Sequence, residues 1–268
     1  MPMRQILTSF ALAVVGLGFV GQLVAVEEFF SPGLKASGFD GAVVLLDGES
    51  QTWYSSEQTW LDTPAIPAST FKVFSSLVAL ELGLVESLDQ VMELADYRSS
   101  REEINRPLRF DDAFRLSALP HYQQLVRVVG ARRMQEALDA TGYGNRSIDG
   151  GIDQFWIAGG LRITPREQLL FLQRLTQDAL PFRAEVMHKV RSIMAREEFG
   201  GDLHAKTGWA TSSEGWHTGW SIGWLERGAQ GPLFFAVLLR TQEPGESFLN
   251  IRLDLALRAL AEQTGRKI

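Results

Sequence analysis

The sequence predicts an α+β fold, in which one antiparallel sheet carries flanking helices and an inserted, mostly helical region. Three observations lead to this prediction. Apolar residues have mostly helical spacing over about residues 69–175, strand-like segments lie on either side at about 38–62 and 200–240, and an amphipathic helix closes the chain. The middle region is too long for a simple crossover, and no linker rich in Pro, Gly or Ser sets it apart. We therefore expect a single domain.

The first strands and the helices can be placed in order along the sequence. Residues 41–48 are an apolar run closed by an Asp-Gly turn pair, and residues 51–60 can return antiparallel to it as a hairpin. A helix begins at about Ser69 and ends near Gly83. Shorter helices are expected at residues 111–116, 123–129 and 131–140. At residues 164–167, the order Thr-Pro-Arg-Glu predicts a helix start with a capping box.

After residue 200 the pattern becomes typical of strands. Residues 220–224 alternate with a period of two, and residues 233–239 have the continuous apolar pattern of a buried strand. Residues 250–262 then form the closing amphipathic helix. We expect the tryptophans that follow glycines to lie in the core of the sheet; they are Trp209, Trp216, Trp220 and Trp224.

The first 25 residues have the pattern of a secretory signal peptide. Arg4 precedes an apolar run over residues 6–20, and the small residue Ala25 follows. A permanent membrane anchor is the alternative, but glycines interrupt the run, which is short for a membrane span. We expect cleavage near Ala25. The remaining residues 26–268 are then a single exported domain without stable membrane insertion.

The composition excludes several kinds of protein and site. Hydrophobic residues make up 45% of the chain and charged residues 22%, values that exclude a disordered or collagen-like chain. A net charge of −6 without any basic run argues against a nucleic-acid partner. Cysteine is absent, which excludes cysteine nucleophiles, iron–sulfur clusters and disulfides. The four histidines lack metal-ligand spacing, so we expect no metal site.

Lysine is scarce in this chain, and one lysine follows a serine at helical spacing. Ser69 and Lys72 are three residues apart, which places both side chains on one face of the predicted helix. At a helix start, Ser69 lies beside free N–H groups that suit a developing oxyanion. Apolar neighbours can lower the pKa of Lys72 enough for a neutral amine to activate the weak hydroxyl nucleophile. The alternative is a surface Ser and Lys on an amphipathic helix.

A second lysine occurs in Lys206-Thr207-Gly208, just before the alternating strands. A cation and a hydroxyl on a strand can hold a substrate carboxylate, and Gly208 lets a ligand approach the backbone closely. The alternative is a strand-edge lysine that discourages edge pairing. Each motif is weak alone, whereas both together, in this order on a helix and a strand, are a specific signal.

The chain resembles the class D, oxacillinase-type, serine β-lactamases over nearly all of residues 26–268. The motifs that carry the resemblance, in the family's order and with similar spacing, are Pro67-Ala68-Ser69-Thr70-Phe71-Lys72, Ser117-Ala118-Leu119, Tyr143-Gly144-Asn145, Phe155-Trp156 and Lys206-Thr207-Gly208-Trp209. The resemblance implies the serine β-lactamase/DD-peptidase-like fold, hydrolysis of the β-lactam ring, a periplasmic location and a role in antibiotic resistance. Class A β-lactamases share the first and last motifs but require Ser-Asp-Asn between them, which this chain lacks.

The resemblance also implies a role for each catalytic residue. Ser69 is the nucleophile that forms an acyl-enzyme, and Lys72 is carboxylated by carbon dioxide to N-carboxylysine, the general base of both half-reactions. Trp156 donates its indole N–H to the carbamate, and Ser117 relays a proton to the lactam nitrogen. The backbone N–H groups of Ser69 and Trp209 form the oxyanion hole. Apart from this carbon dioxide, the family needs no cofactor.

The resemblance further implies the substrate contacts. Lys206 and Thr207 hold the carboxylate of a small-molecule β-lactam, with Gly208 and Trp209 beside them. Arg252 lies where family members carry a carboxylate-binding arginine; a surface helix arginine is the alternative. The expected assembly is a monomer or a homodimer.

Two residues depart from the family pattern, and two other functions stay open. Leu119 stands where the family mostly has valine, and Ile104 replaces the tryptophan usual before Asn105. A penicillin-sensing receptor domain, which is acylated without turnover, is the first alternative, although such sensors hang from multi-span membrane proteins. A penicillin-binding peptidase is the second, although its middle motif normally ends in Asn where Leu119 stands.

Overall fold

A six-stranded sheet lies at the centre of the protein, which the computed structural model describes over residues 26–29, 31–93 and 99–266. The expected signal peptide, residues 1–25, lies outside the described residues. The strands are β1 (Val26–Glu28), β2 (Asp40–Asp47), β3 (Trp53–Ser55), β4 (Val91–Met92), β5 (Leu108–Arg109), β6 (Leu203–Thr211), β7 (His217–Leu225) and β8 (Leu233–Thr241). Their order across the sheet is β1-β3-β2-β8-β7-β6, and β4 and β5 form a separate pair.

The expected antiparallel sheet is confirmed for β2, β3, β6, β7 and β8, including the N-terminal hairpin of β2 and β3. The exception is β1, which pairs parallel to β3. The sheet is therefore mixed at this one edge, and the predicted fold class is confirmed. The strand β1 has only three residues, Val-Glu-Glu, and so lacks the alternating apolar pattern by which a strand is predicted.

Helices cover both faces of the sheet. They are α1 (Pro32–Ser37), α2 (Phe71–Glu81), α3 (Phe110–Arg115), α4 (Leu119–Val129), α5 (Ala131–Thr141), α6 (Pro165–Thr176), α7 (Ala184–Met194) and α8 (Phe248–Thr264). Helices α2 to α7 pack on one face, against alternate residues of β8 such as Phe234 and Leu238. Helices α1 and α8 pack on the other face, against Phe235 and Val237. Both faces of β8 are buried, which explains its continuous apolar sequence.

Helix α2 lies inside the helical layer, because its residues are apolar around nearly the whole circumference. Every residue from Phe71 to Leu80 is buried. One of them is Lys72, with 0% of its surface exposed. The position of the helix therefore removes this lysine from water.

Several predicted helices are confirmed, with shifted ends. Helix α6 has the expected capping box: Glu167 N donates to Thr164 Oγ1 over 3.1 Å, and Thr164 N donates to Glu167 Oε2 over 2.8 Å. Helix α4 begins at Leu119 rather than residue 123, with Pro120 in its first turn. The pair of β4 and β5 and the helix α7 had not been predicted.

The tryptophans that follow glycines do not all lie in the core. Trp220 and Trp224 on β7 are fully buried, as expected. Trp209 near the end of β6 is 38% exposed, and Trp216 in the loop between β6 and β7 is half-buried, so the expectation was wrong for these two. Trp209 belongs to the edge strand β6, and Trp216 lies in the loop that joins β6 to β7.

Candidate active site

Ser69 lies in a tight 3-10 turn, Ala68–Thr70, that leads directly into α2. Ala68 has a φ of +52°, a left-handed conformation that costs free energy in a residue other than glycine. Neighbouring elements hold the turn in place: Ala68 N donates to Trp156 O over 2.9 Å, and Trp220 Nε1 donates to Ile66 O over 2.8 Å. Backbone strain next to a partly buried serine is typical of a nucleophile held in one orientation.

The Lys72 side chain reaches back to this serine. Its Nζ donates to Ser69 Oγ over 2.9 Å. Desolvation by burial, with a smaller effect of the Arg101 charge, lowers the pKa of Lys72 to about 7. Near neutral pH much of this amine is uncharged and can accept a proton or act as a nucleophile.

Trp156 brings an unpaired donor to the same region. Its ring stacks on Phe71, the residue before Lys72, with 5.4 Å between ring centroids, and the residue is 1% exposed. Its indole Nε1 is buried and has no hydrogen-bond partner among the described residues. Because a buried N–H group without an acceptor costs free energy, this atom indicates that a further acceptor belongs beside it.

Ser117 and Lys206 meet across the cleft between α4 and β6. Lys206 Nζ donates to Ser117 Oγ over 2.5 Å and to Thr207 O over 3.0 Å. Ser117 has a φ of +54°, so a second strained residue borders the site. Burial lowers the pKa of Lys206, and the charges of Lys72 and Arg252 lower it further. The pair can therefore pass a proton between a hydroxyl and an amine.

Strand β6 comes unusually close to the serine turn. A Cβ atom on Gly208 would lie 2.9 Å from Pro67 O and 3.2 Å from Ser69 N. Only glycine allows this approach without displacing backbone. Because β6 is an edge strand, alternate N–H groups of its backbone face away from β7.

Arg252 lies in the first turns of α8 and reaches the same strand. Its Nη1 donates to Gly208 O over 2.6 Å, its Nη2 to Leu249 O over 2.7 Å, and its Nε to Phe248 O over 3.0 Å. Burial lowers the pKa of Arg252 to about 10. The residue is only 3% exposed, so it is not a surface helix arginine.

An open cleft lies on the β6 and α8 side of the site. A cavity of about 730 Å³ is lined by Lys206 and Thr207 of β6, by Arg252 of α8 and by the end of α3. It is large enough for a drug-sized molecule. Three of the five residues predicted for substrate binding therefore line one cavity, whose lining includes neither Ser69 nor Lys72.

Two residues beside the site were not predicted from the sequence. Gln168 of α6 donates from Nε2 to Thr70 Oγ1 over 2.9 Å. Arg101, on the rim, acts on both active-site lysines through its charge. No sequence signal marked either residue, because the first contact joins segments 98 residues apart and the second is electrostatic.

The other expectations can be stated for the described residues. In residues 26–29, 31–93 and 99–266, no group of three or more His, Cys, Asp and Glu side chains is arranged to hold a metal ion. Over the same ranges, no helix has the length and apolar character needed to cross a membrane. Asn145 pairs with the 160–162 loop, accepting from Arg162 N and donating to Gly160 O, each over 2.9 Å.

Comparisons with known proteins agree with this fold. Residues 40–252 match the model of the penicillin-binding protein transpeptidase domain. The chain is 35% identical to β-lactamase OXA-48 of Klebsiella pneumoniae over 187 residues, which are 69% of this chain and 70% of that protein. The crystal structure of FUS-1 (OXA-85), a class D β-lactamase from Fusobacterium nucleatum, superposes with a TM-score of 0.79 at 31% identity, covering 86% of this chain and 95% of that one.

A longer regulatory protein also matches this chain in sequence. Regulatory protein BlaR1 of Bacillus licheniformis is 32% identical over 70% of this chain, but the match covers only 32% of that longer protein. The matched domain defines the chain as a member of the penicillin-binding protein transpeptidase fold family. Within that fold family, the chain belongs to the class D β-lactamases, which are hydrolases.

Proposed function

We propose that this protein hydrolyses the β-lactam ring of penicillin-type antibiotics and thereby confers resistance to them. The contact of 2.9 Å between Lys72 Nζ and Ser69 Oγ, in a site where Lys72 is fully buried, carries the proposal. It couples a weak nucleophile to a group that can take up its proton. Membership of the class D β-lactamases supports the same chemistry.

Lys72 is the residue proposed for carboxylation. Only a neutral amine attacks carbon dioxide, and a pKa of about 7 supplies that form near neutral pH. In the step, Nζ bonds to the carbon of carbon dioxide, one C–O π pair moves to oxygen, and Nζ loses a proton to solvent. The unpaired Nε1 of Trp156 supports this modification, because the new carboxylate would give a buried donor its acceptor.

Ser69 opens the ring in the first half-reaction. As Oγ attacks the lactam carbonyl, the carboxylated Lys72 accepts its proton, and the backbone N–H groups of Ser69 and Trp209 stabilise the oxyanion. Each such donor contributes roughly 3–4 kcal/mol in a transition state. Cleavage of the C–N bond leaves an ester on Ser69. The proton taken up by the carbamate passes by way of Ser117 to the departing lactam nitrogen, so that the carboxylated Lys72 is again a base. It then removes a proton from water, which attacks this ester, and returns that proton to Ser69 Oγ as the product leaves.

Four further residues act on the lactam nitrogen and on the substrate carboxylate: Ser117, Lys206, Thr207 and Arg252. Ser117 Oγ accepts from Lys206 and can donate its own proton to the departing lactam nitrogen. Lys206 and Thr207 bind the substrate carboxylate along β6. Arg252 supports that wall through Gly208 and offers its remaining N–H groups to the same carboxylate.

Export belongs to the same proposal. Residues 1–25 act as a signal peptide cleaved near Ala25, and residues 26–268 form one catalytic domain that works in the periplasm. A β-lactam is the partner, and the active form is a monomer or a homodimer. Mass spectrometry of the protein secreted into the periplasm would test the predicted cleavage site.

The test is turnover of a chromogenic cephalosporin by the purified residues 26–268 in bicarbonate buffer. Product far beyond one equivalent per protein, lost in Ser69→Ala, is the expected result. A burst that stops near one equivalent would instead support a penicillin sensor, which is acylated without turnover. The match to BlaR1 and the replacement of the family's usual valine by Leu119 are the reasons to test this alternative. No burst, or full activity in Ser69→Ala, would overturn the serine mechanism.

A further inference from the structure

The buried side chain of Gln168 touches the serine turn from behind, although the mechanism above does not use it. Gln168 lies on α6 and is 0% exposed. Its Nε2 donates to Thr70 Oγ1 over 2.9 Å. Thr70 is the residue after the nucleophile Ser69 and is itself fully buried. A polar contact at this depth needs a reason beyond packing.

The hydrogens of this contact can be assigned from the donors and acceptors present. Thr70 has one hydroxyl proton, and it is committed to Pro67 O, over 2.7 Å. Thr70 Oγ1 can then only accept from Gln168, so the amide must present its NH₂ group to it. This assignment leaves Gln168 Oε1 facing inward. Neither that oxygen nor Tyr143 Oη, both buried, has a hydrogen-bond partner among the described residues.

The contact reaches Ser69 through the backbone of the turn. Pro67 O accepts from Thr70 N, over 3.2 Å, as well as from Thr70 Oγ1, so residues on both sides of Ser69 are clasped together. From the opposite side, Gly208 packs on Pro67 O, Ser69 N and Thr70 Cγ2. The turn is therefore held between β6 and α6, and Gln168 is the polar group on the α6 side.

We propose that Gln168 is a positioning residue for the nucleophile, which acts through Thr70 to fix the turn that orients Ser69 Oγ and Ser69 N. The strained φ of Ala68 needs such a clasp, since a strained backbone persists only where its surroundings enforce it. This inference rests on the proposed function, because it assigns a task in acylation by Ser69.

The matched control is Gln173, which lies on the same helix, is 8% exposed and donates to Gln51 rather than to the serine turn. Gln168→Leu should lower the acylation rate and kcat on the order of 10- to 100-fold, the effect of misplacing a reacting group, with little change in KM. Gln173→Leu should leave both constants unchanged, although it also removes a buried amide. Equal kinetics of the two variants would overturn the inference.

Two further readouts separate positioning from mere folding. Gln168→Glu should keep activity while the new carboxyl group is protonated and can donate to Thr70, and should lose it as that group ionises with rising pH. Gln173→Glu should not gain this descending limb. Because Gln168 acts through Thr70, the double variant of Gln168→Leu and Thr70→Val should be no slower than its slower parent.

The outcomes also separate this inference from the proposed function. If the unaltered protein neither forms an acyl-enzyme nor turns over, both proposals fall together. If it turns over while Gln168→Glu follows the unaltered pH profile, or while the losses of Gln168→Leu and Thr70→Val multiply, only the positioning role is wrong.

Discussion

Lys72 Nζ lies 2.9 Å from Ser69 Oγ on the one helix of the described chain that is buried around nearly its whole circumference. The burial that packs α2 into the core is thus the same burial that lowers the pKa of the lysine. The fold sets the chemistry of the site, and this lysine reduces the stability of the protein in return, because a charged amine is poorly accommodated there.

Lys72→Met should show directly how the buried lysine lowers the free energy of unfolding. The pKa of Lys72 is about 7 in the folded protein and 10.5 as the ordinary value, so the unfolded chain holds more protons between these limits. In bicarbonate-free buffer, the free energy of unfolding of the unaltered protein should therefore rise, relative to Lys72→Met, as pH increases from about 7 to about 10. Urea unfolding over this range measures it, and parallel pH curves would contradict the depressed pKa.

Trp156→Phe should raise the amount of bicarbonate that the protein needs for turnover. The variant keeps the stacking on Phe71 but removes the Nε1 donor that would hold the carboxylated lysine. Turnover should fall and require more bicarbonate for half-maximal rate, because the modified lysine loses its stabilising hydrogen bond. Trp224→Phe is the control, since Trp224 is equally buried and its Nε1 donates to Glu226. The same bicarbonate response in both variants would remove Trp156 from the proposed site.

Gly208→Ala should act on the rate more than on binding. The added Cβ would press on Pro67 O and Ser69 N, so the oxyanion donor at Ser69 must shift. Loss of one such donor lowers kcat by about 10²–10³. Stopped-flow acylation with a penicillin measures the change. A kcat equal to that of the unaltered protein would mean that Ser69 N does not contact the oxyanion.

Arg252→Ala should impair both binding and stability. Three carbonyl groups, those of Gly208, Phe248 and Leu249, lose a charged donor. Phe248 O and Leu249 O keep the N–H donors of the helix, whereas an unsatisfied Gly208 O costs about 1–3 kcal/mol unless water reaches it. KM for penicillins should rise, since the carboxylate-binding wall of β6 loosens. Arg258→Ala, on an exposed position of the same helix, is the control. If Arg252→Ala changes only the stability and not KM, Arg252 stabilises β6 and does not bind the substrate.

Part of this site could be predicted from the sequence because its chemistry lies in short segments. Ser69 and Lys72 are one helical turn apart, and Lys206 to Trp209 follow one strand, so periodicity places them. The fold class and the hairpin followed from the same patterns. The short strand β1 and the pair β4 and β5 could not be predicted, because two or three residues carry no periodicity.

Contacts between distant segments were also beyond prediction. In the sequence, Gln168 is one polar residue on an amphipathic helix. Only the packing of α6 against the serine turn brings it to its hydrogen-bond partner, Thr70. Trp209 and Trp216 had the same Gly-Trp pattern as the two buried tryptophans, yet they lie at the edge of the sheet. Burial at an edge depends on the next layer, which local sequence does not describe.

The central claim is that Lys72 is the carboxylated base, and carbon-13 NMR of the purified protein in labelled bicarbonate tests it most directly. The unaltered protein should show a carbamate resonance that grows as bicarbonate is added, in step with turnover. Lys72→Met should lack this resonance, and Trp156→Phe should show it only at higher bicarbonate. Turnover of a penicillin without any carbamate resonance, or a resonance that persists in Lys72→Met, would contradict the account.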